Sequence, residues 1–134
     1  MNILVTDQGF AIDDWTAPIA SLNDAHDGIG IDLPSSADPL ELAGRLPEIP
    51  LIRVDFPSFA DGRGFTIARQ LRLMGFTGRL RARGHVIADQ YAMARRAGFD
   101  EVEISADLAA RQPEDQWMAR ADWRSHDYQA RLRG

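Results

Sequence analysis

The side chains best able to do chemistry crowd into one stretch, Leu51 to Phe65, LIRVDFPSFADGRGF. It holds Arg53, Asp55, Asp61 and Arg63, with Gly62 and Gly64 interleaved. The order reads as a buried strand, a turn and the opening of a helix. A helix N-terminus offers free N–H groups and roughly half a positive charge. Glycines let an anion approach the backbone, and an arginine can grip an oxyanion through two parallel bonds. Asp61, Gly62, Arg63 and Gly64 thus form a candidate anion-binding turn. The plainer reading is a tight turn in which Asp61 caps the helix. As a dinucleotide fingerprint the stretch fails: Ile67 stands where the third glycine or alanine belongs, and Ala68 comes one place late.

Further polar candidates follow. Arg69 and Arg72 lie on the helix face away from Ile67, Leu71 and Met74, where such residues are usually solvated or paired. Arg79, Arg81 and Arg83 share one face of a strand and repel unless acids or an anion sit among them. Asp55 and Glu103 on neighbouring strands would make that set an ion-pair lattice; an oxyanion pocket is the sharper alternative. His85, Asp89 and Gln90 follow the same strand and open the next helix. Asp55, His85 and Ser105 fall near the carboxyl ends of strands, where parallel α/β folds bind ligands. His85 is a candidate proton donor with an Asp partner, although a lone loop histidine is more often incidental. His26 and His126 lack metal-ligand spacing, so no metal is assigned.

The elements that must position these residues alternate regularly. Residues 3–5 suggest a short strand before a turn at Gln8-Gly9. Trp15, Ile19 and Leu22 have helical spacing, with Thr16 as a candidate cap. Strands are expected over 28–33, 51–56, 78–86 and 100–105. Helices are expected over 39–46, 63–74 and 88–97; Asp38, Pro39 and Glu41 mark the start of the first, and Gly75 and Gly98 close the others. The order βαβαβαβ with short loops implies a parallel sheet with right-handed crossovers.

Each strand alternates apolar with charged residues instead of running apolar throughout, so helices are expected mainly on one face. The expectation is an α/β fold of parallel βα repeats, a half-barrel-like (βα)4 sheet; a flavodoxin-like three-layer sandwich is the alternative. Asp32, Arg53, Asp55, Arg81, Arg83, Glu101 and Glu103 would converge on the open side. The chain's own tail or a second copy, making a homodimer, would cover it. The chain is read as one domain over 1–134: an N-terminal extension (1–27), the βα core (28–105) and a C-terminal tail (106–134). In the tail Trp117, Met118, Trp123, Tyr128 and Leu132 are expected to pack back onto the domain.

Missing residue types exclude chemistry. The 134 residues contain no cysteine, which removes disulfides, thiolate iron–sulfur ligation and a catalytic thiol. They contain no lysine either: all 15 basic residues are arginine, so neither a Walker lysine nor a Schiff-base amine (as pyridoxal phosphate needs) is available. A non-covalently bound flavin stays open. Net charge is −8 over residues 1–50, +6 over 51–99 and −3 over 100–134. A net acidic chain is a poor nucleic-acid binder, whereas its basic middle can hold a small anion. With no long apolar run and no basic-then-apolar N-terminus, no membrane association and no secretion signal are expected, and the protein is read as cytoplasmic.

The run FPSFADGRGF-TIARQLR-LMGFTGRLRARGHVIADQ-YAMARRAGFD, Phe56 to Asp100, resembles a bacterial family catalogued as a domain of unknown function (number 934), the likeness extending from about Asp55 to Asp100 and loosely over the flanking strands. Its members are often labelled as oxidoreductases involved in sulfite reduction. The resemblance rests on Phe56, Pro57, Phe59, Ala68, Leu71, Gly78, Leu80, Gly84, Val86, Gly98, Phe99 and Asp100. It also brings forward Asp61, Gly62, Arg63, Gly64, Arg69, Arg72, Arg81, Asp89 and Gln90 as the shared polar set. Arg83 stands where a small apolar residue is commoner in that family, and His85 where an acid is. The resemblance implies an accessory protein of assimilatory sulfite reduction acting with sulfite reductase. Two alternatives remain: an enzyme binding a small oxyanion or phosphorylated metabolite in an arginine-rich concave site, and a non-catalytic assembly protein.

Overall fold

The computed structural model describes residues 2–24 and 28–123. Among these residues seven strands form one sheet: β1 (Asn2–Thr6), β2 (Gly9–Ala11), β3 (Ile19–Ser21), β4 (Gly30–Leu33), β5 (Leu51–Phe56), β6 (Arg79–Gly84) and β7 (Glu101–Ser105). Four α-helices accompany them among the described residues: α1 (Arg63–Leu73), α2 (Tyr91–Ala97), α3 (Ala106–Arg111) and α4 (Glu114–Met118). The sheet order is β2-β1-β7-β6-β5-β4-β3. From β3 to β7 each strand lies parallel beside the next in sequence. Sequential order with right-handed crossovers sends every connection over the same face. A flavodoxin-like sheet needs a reversal of strand order to place helices on both faces. None occurs here, so the expected α/β class holds and the half-barrel order is the observed one.

Alternation along the strands builds the core. Ile52, Val54, Phe56, Leu80, Ala82, Val102 and Ile104 point to one face and form a single cluster with Ile67 and Leu71 of α1, Tyr91 and Ala94 of α2, Leu108 of α3 and Trp117 of α4. Gly64 lets α1 settle onto β5: a Cβ there would stand 2.5 Å from the Phe56 ring. The expected helix over 39–46 is instead two 3-10 turns, Pro39–Leu42 and Leu46–Glu48. Its start was signalled correctly, since the Asp38 carboxylate accepts the Leu40 N–H. Gly44, at φ +84°, breaks the chain direction after one turn.

The N-terminal residues do more than extend the domain. β1 pairs antiparallel with β7, joining Leu4 to Glu103 and Asn2 to Ser105 in register. The expected helix around Trp15, Ile19 and Leu22 is absent. After β2 the chain crosses to the far edge of the sheet and adds β3. Ala11 and Ile19 are eight steps apart, a reach of about 26–29 Å at full extension. The six inter-strand spacings it must bridge amount to about 29 Å on a flat sheet. Residues 12–18 therefore cross the sheet as a nearly extended strap.

Under the strap lies the charged face. Arg53 bonds both Asp32 oxygens (2.6 and 2.8 Å) and reaches Glu103 at 3.1 Å. Fully buried Arg81 bonds Glu101 at 2.5 Å and Glu103 at 2.8 Å. The strap completes the set: Asp13 accepts from Arg81 at 3.0 Å and Asp14 from Arg79 at 2.6 Å. The arginine-rich strands thus carry an ion-pair lattice with Glu103 in it as expected, but Asp55 takes no part among the described residues: Glu101, Asp32 and the strap's Asp13 and Asp14 supply the other acids.

At its described end the tail packs back. Trp117 is fully buried and donates to the Gln112 carbonyl at 2.9 Å. Trp123 stacks on Arg95 at 4.8 Å and donates to Asp7, which also accepts from Tyr91 and Arg95. Tyr128, Leu132, His26 and His126 lie outside the described residues.

Candidate functional site

A cavity of about 400 Å³ opens at the carboxyl ends of β5, β6 and β7, on the charged face beyond the strap. Each strand delivers its last residues there: Asp55, then Arg83 with Gly84 and His85, then Glu103 with Ser105. Asn2 comes from β1, Pro57 and Phe59 from the turn after β5, and Leu108 and Arg111 from α3. Gly84, at φ +110°, swings the chain over the edge; a Cβ would meet the Phe56 carbonyl oxygen at 2.8 Å.

Polar groups in this cavity differ in how far they are spent. Glu103 is buried and accepts from Asn2 (2.7 Å), Arg53 and Arg81. Burial alone would raise its pKa; the bonds from Asn2 and Arg81 and the charge of Arg53 outweigh that and hold it below the usual carboxylate value. Arg83 pairs with Glu103 only at 3.5 Å and remains 44 % exposed. Arg111 and Asp55 have no hydrogen-bond or ion-pair partner among the described residues, although Asp55 is half-buried. The Ser105 hydroxyl accepts the Leu108 N–H and so caps α3, leaving its own hydrogen free to donate. His85 lies edge-on to Phe59, and its Nδ1 sits 3.2 Å from the Phe56 carbonyl. In the neutral tautomer that makes this bond Nδ1 carries the hydrogen, and the Nε2 lone pair is free to accept.

Of the polar candidates read from the sequence, Asp55, Arg83, His85, Glu103 and Ser105 line the cavity, and none of the polar set shared with the family does. Asp61, in the loop after β5, and Arg63, the first residue of α1, hold each other. The Arg63 guanidinium donates to both Asp61 oxygens (3.0 and 2.8 Å), and its backbone N–H donates to the same carboxylate. That bonding keeps the Asp61 pKa well below the usual range. The mouth of α1 thus carries its own anion. Gly62 is the N-cap of α1, and Gly64 is buried against Phe56. Arg69 is exposed on α1. Arg72 is at the opposite end of the sheet, where it donates to the carbonyls of Gly98, Phe76 and Gly78 and to Asp100. Arg81 belongs to the lattice. Asp89 pairs with Arg120, and Gln90 bonds the Phe59 carbonyl and the Ile87 N–H.

Asn2 and Arg111 were missed as site residues. One lies in a strand whose partner β7 is a hundred residues away, the other in a segment read as packing tail. Arg83 was legible: alternation placed it on the concave face and the next residue ends its strand. A second, apolar hollow of about 240 Å³ lies between the Pro39–Leu42 turn and α1, lined by Leu40, Leu73 and Met74. Among the described residues, no three His, Asp or Glu side chains gather as a metal set, and no helix is long and apolar enough to cross a membrane.

Fold and cavity together define a singly wound α/β protein with a polar hollow at the carboxyl edge of its parallel strands. The chain belongs to the family described as bacterial protein of unknown function (DUF934), whose model matches residues 30–134. No curated protein matches it.

Proposed function

We propose that the protein binds a small oxyanion or a phosphorylated metabolite in this cavity, as an accessory of assimilatory sulfite reduction in the cytoplasm that works with sulfite reductase. The observation that carries the reading is the state of the two arginines. Arg83 is held at only 3.5 Å by a carboxylate that other arginines already neutralise, and Arg111 has no partner among the described residues. Arginines exposed beside a hollow at the carboxyl ends of parallel strands are placed to receive a ligand's anionic group. The free Ser105 O–H adds a neutral donor. The sulfur setting is supported by the family resemblance and its label. No self-contained electron carrier is implied, because the sequence supplies no cysteine cluster and no dinucleotide fingerprint.

The test has two arms. Titration calorimetry with sulfite and with inorganic phosphate is expected to show binding, weakened about tenfold or more in Arg83→Ala and in Arg111→Ala. A strain lacking the gene is expected to grow poorly on sulfate as sole sulfur source, to be rescued by the parent and not by Arg83→Ala. Absence of any anion binding removes the ligand reading, and normal growth of the deletion strain removes the sulfur setting.

A further inference from the structure

Three features of the cavity say more about its ligand than that it is anionic. The first is size. A single tetrahedral or pyramidal oxyanion occupies a small part of about 400 Å³; metabolite-sized ligands fill hollows of roughly this volume. The second is the balance of charge. The cavity is lined by Arg83 and Arg111 but also by Asp55, and Asp55 is the acid there with no partner of its own among the described residues. A bare oxyanion placed beside it would leave that half-buried carboxylate unpaired and repelled. The third is layout. Asp55 is the last residue but one of β5, Arg83 lies opposite it on β6, and Ser105 ends β7 before the helix that carries Arg111. Neighbouring strands are about 4.8 Å apart, so acid and donor ends are separated by about 5–10 Å. Pro57, Phe59 and Leu108 supply apolar wall between them.

Resting on the anion-binding reading above, we infer that the ligand is a short zwitterion: an organic phosphate, sulfonate or carboxylate that also carries a primary ammonium. Its anionic group is received by Arg83 and Arg111 with the Ser105 hydroxyl. Its carbon chain lies along Phe59 and Leu108. Its ammonium pairs with Asp55, which gives that carboxylate the charged partner the fold withholds.

Matched ligands test this directly. Ethyl phosphate and O-phosphoethanolamine differ in the ammonium, as do ethanesulfonate and 2-aminoethanesulfonate. Calorimetry on the full chain is expected to show the ammonium-bearing member of the preferred pair binding about tenfold tighter or more. In Asp55→Asn, which loses no internal bond, that advantage is expected to shrink to about twofold or less, with the simple anion bound no more weakly than by the parent. Equal affinity within both pairs in the parent overturns the inference while leaving the anion site standing. An advantage that survives intact in Asp55→Asn overturns it too. If neither member of either pair binds, and sulfite and phosphate do not bind either, the anion site itself is wrong.

Discussion

At the scale of single residues, the arginines divide by how much of their guanidinium the fold consumes. Arg72 spends four donor bonds tying α1 to the starts of β6 and β7. Arg81 is buried completely and lies among three carboxylates. Its position in a continuous motif marked it as a ligand candidate, yet no ligand can reach it without the strap leaving. Truncating one partner of a buried charge set costs about 3–5 kcal/mol, because the partners stay behind uncompensated. Arg81→Ala removes the cation that Glu101 and Glu103, two places apart on one strand, share, leaving Glu101 to Arg79 and Glu103 to Arg53 and Asn2. Chemical denaturation is expected to show a loss of that size, with anion binding at the cavity changed only as far as folding is. A loss below about 1 kcal/mol would mean that the lattice is wetter and weaker than its geometry shows.

At the scale of elements, alternation was the readable signal. Charged residues at every second place of β5, β6 and β7 foretold both the one-sided helices and the lattice, because period two leaves no other placement. The strap was not readable. Asp13 and Asp14 look like any acidic loop pair, and what gives them meaning is a partner more than 60 residues on. β3 was hidden for a different reason. Three residues are too few for alternation to outweigh a chance helical spacing of Trp15, Ile19 and Leu22, and Pro18 stands directly before them. Strap and lattice share a pH dependence. For Asp13, as for Glu103, burial would raise the pKa, but the bond from Arg81 and neighbouring arginine charge outweigh it. A carboxyl held low when folded binds fewer protons than in the unfolded chain, so stability rises with pH across that window. The stabilisation is complete above the unfolded values of about 4 and is lost as pH falls through the folded ones. Melting temperature is expected to be flat from pH 5 to 7 and to drop below pH 4. Glu103→Gln is expected to lower it at neutral pH and to flatten the acid limb. An equally steep limb in that variant would remove Glu103 from the explanation.

At the scale of the whole molecule, the residues ahead of the family match turn out to be structural. The matched region begins at Gly30, the first residue of β4, and so omits β1, β2, the strap and β3. Those residues close the sheet. β1 covers the open edge of β7, and Asn2 supplies one bond to Glu103. The edge of β2 is covered in turn by α4, whose Glu114 carboxylate accepts the Phe10 N–H at 2.7 Å. Asp7 gathers Tyr91, Arg95 and Trp123, and so fixes α2 and the tail to the rest. A chain starting at Gly30 keeps every residue of the family motif but loses all of this. It exposes the length of β7, a ready template for pairing with other chains. It also leaves Arg81 without Asp13 and empties the wall of the cavity that Asn2 forms. Such a chain is expected to aggregate or to melt without a cooperative transition. Adding residues 2–24 back as a separate peptide is expected to restore part of the transition if β1 and the strap can dock. A soluble Gly30–Gly134 fragment that unfolds cooperatively, within about 2 kcal/mol of the parent, would show that β4 to β7 and their helices carry the stability alone.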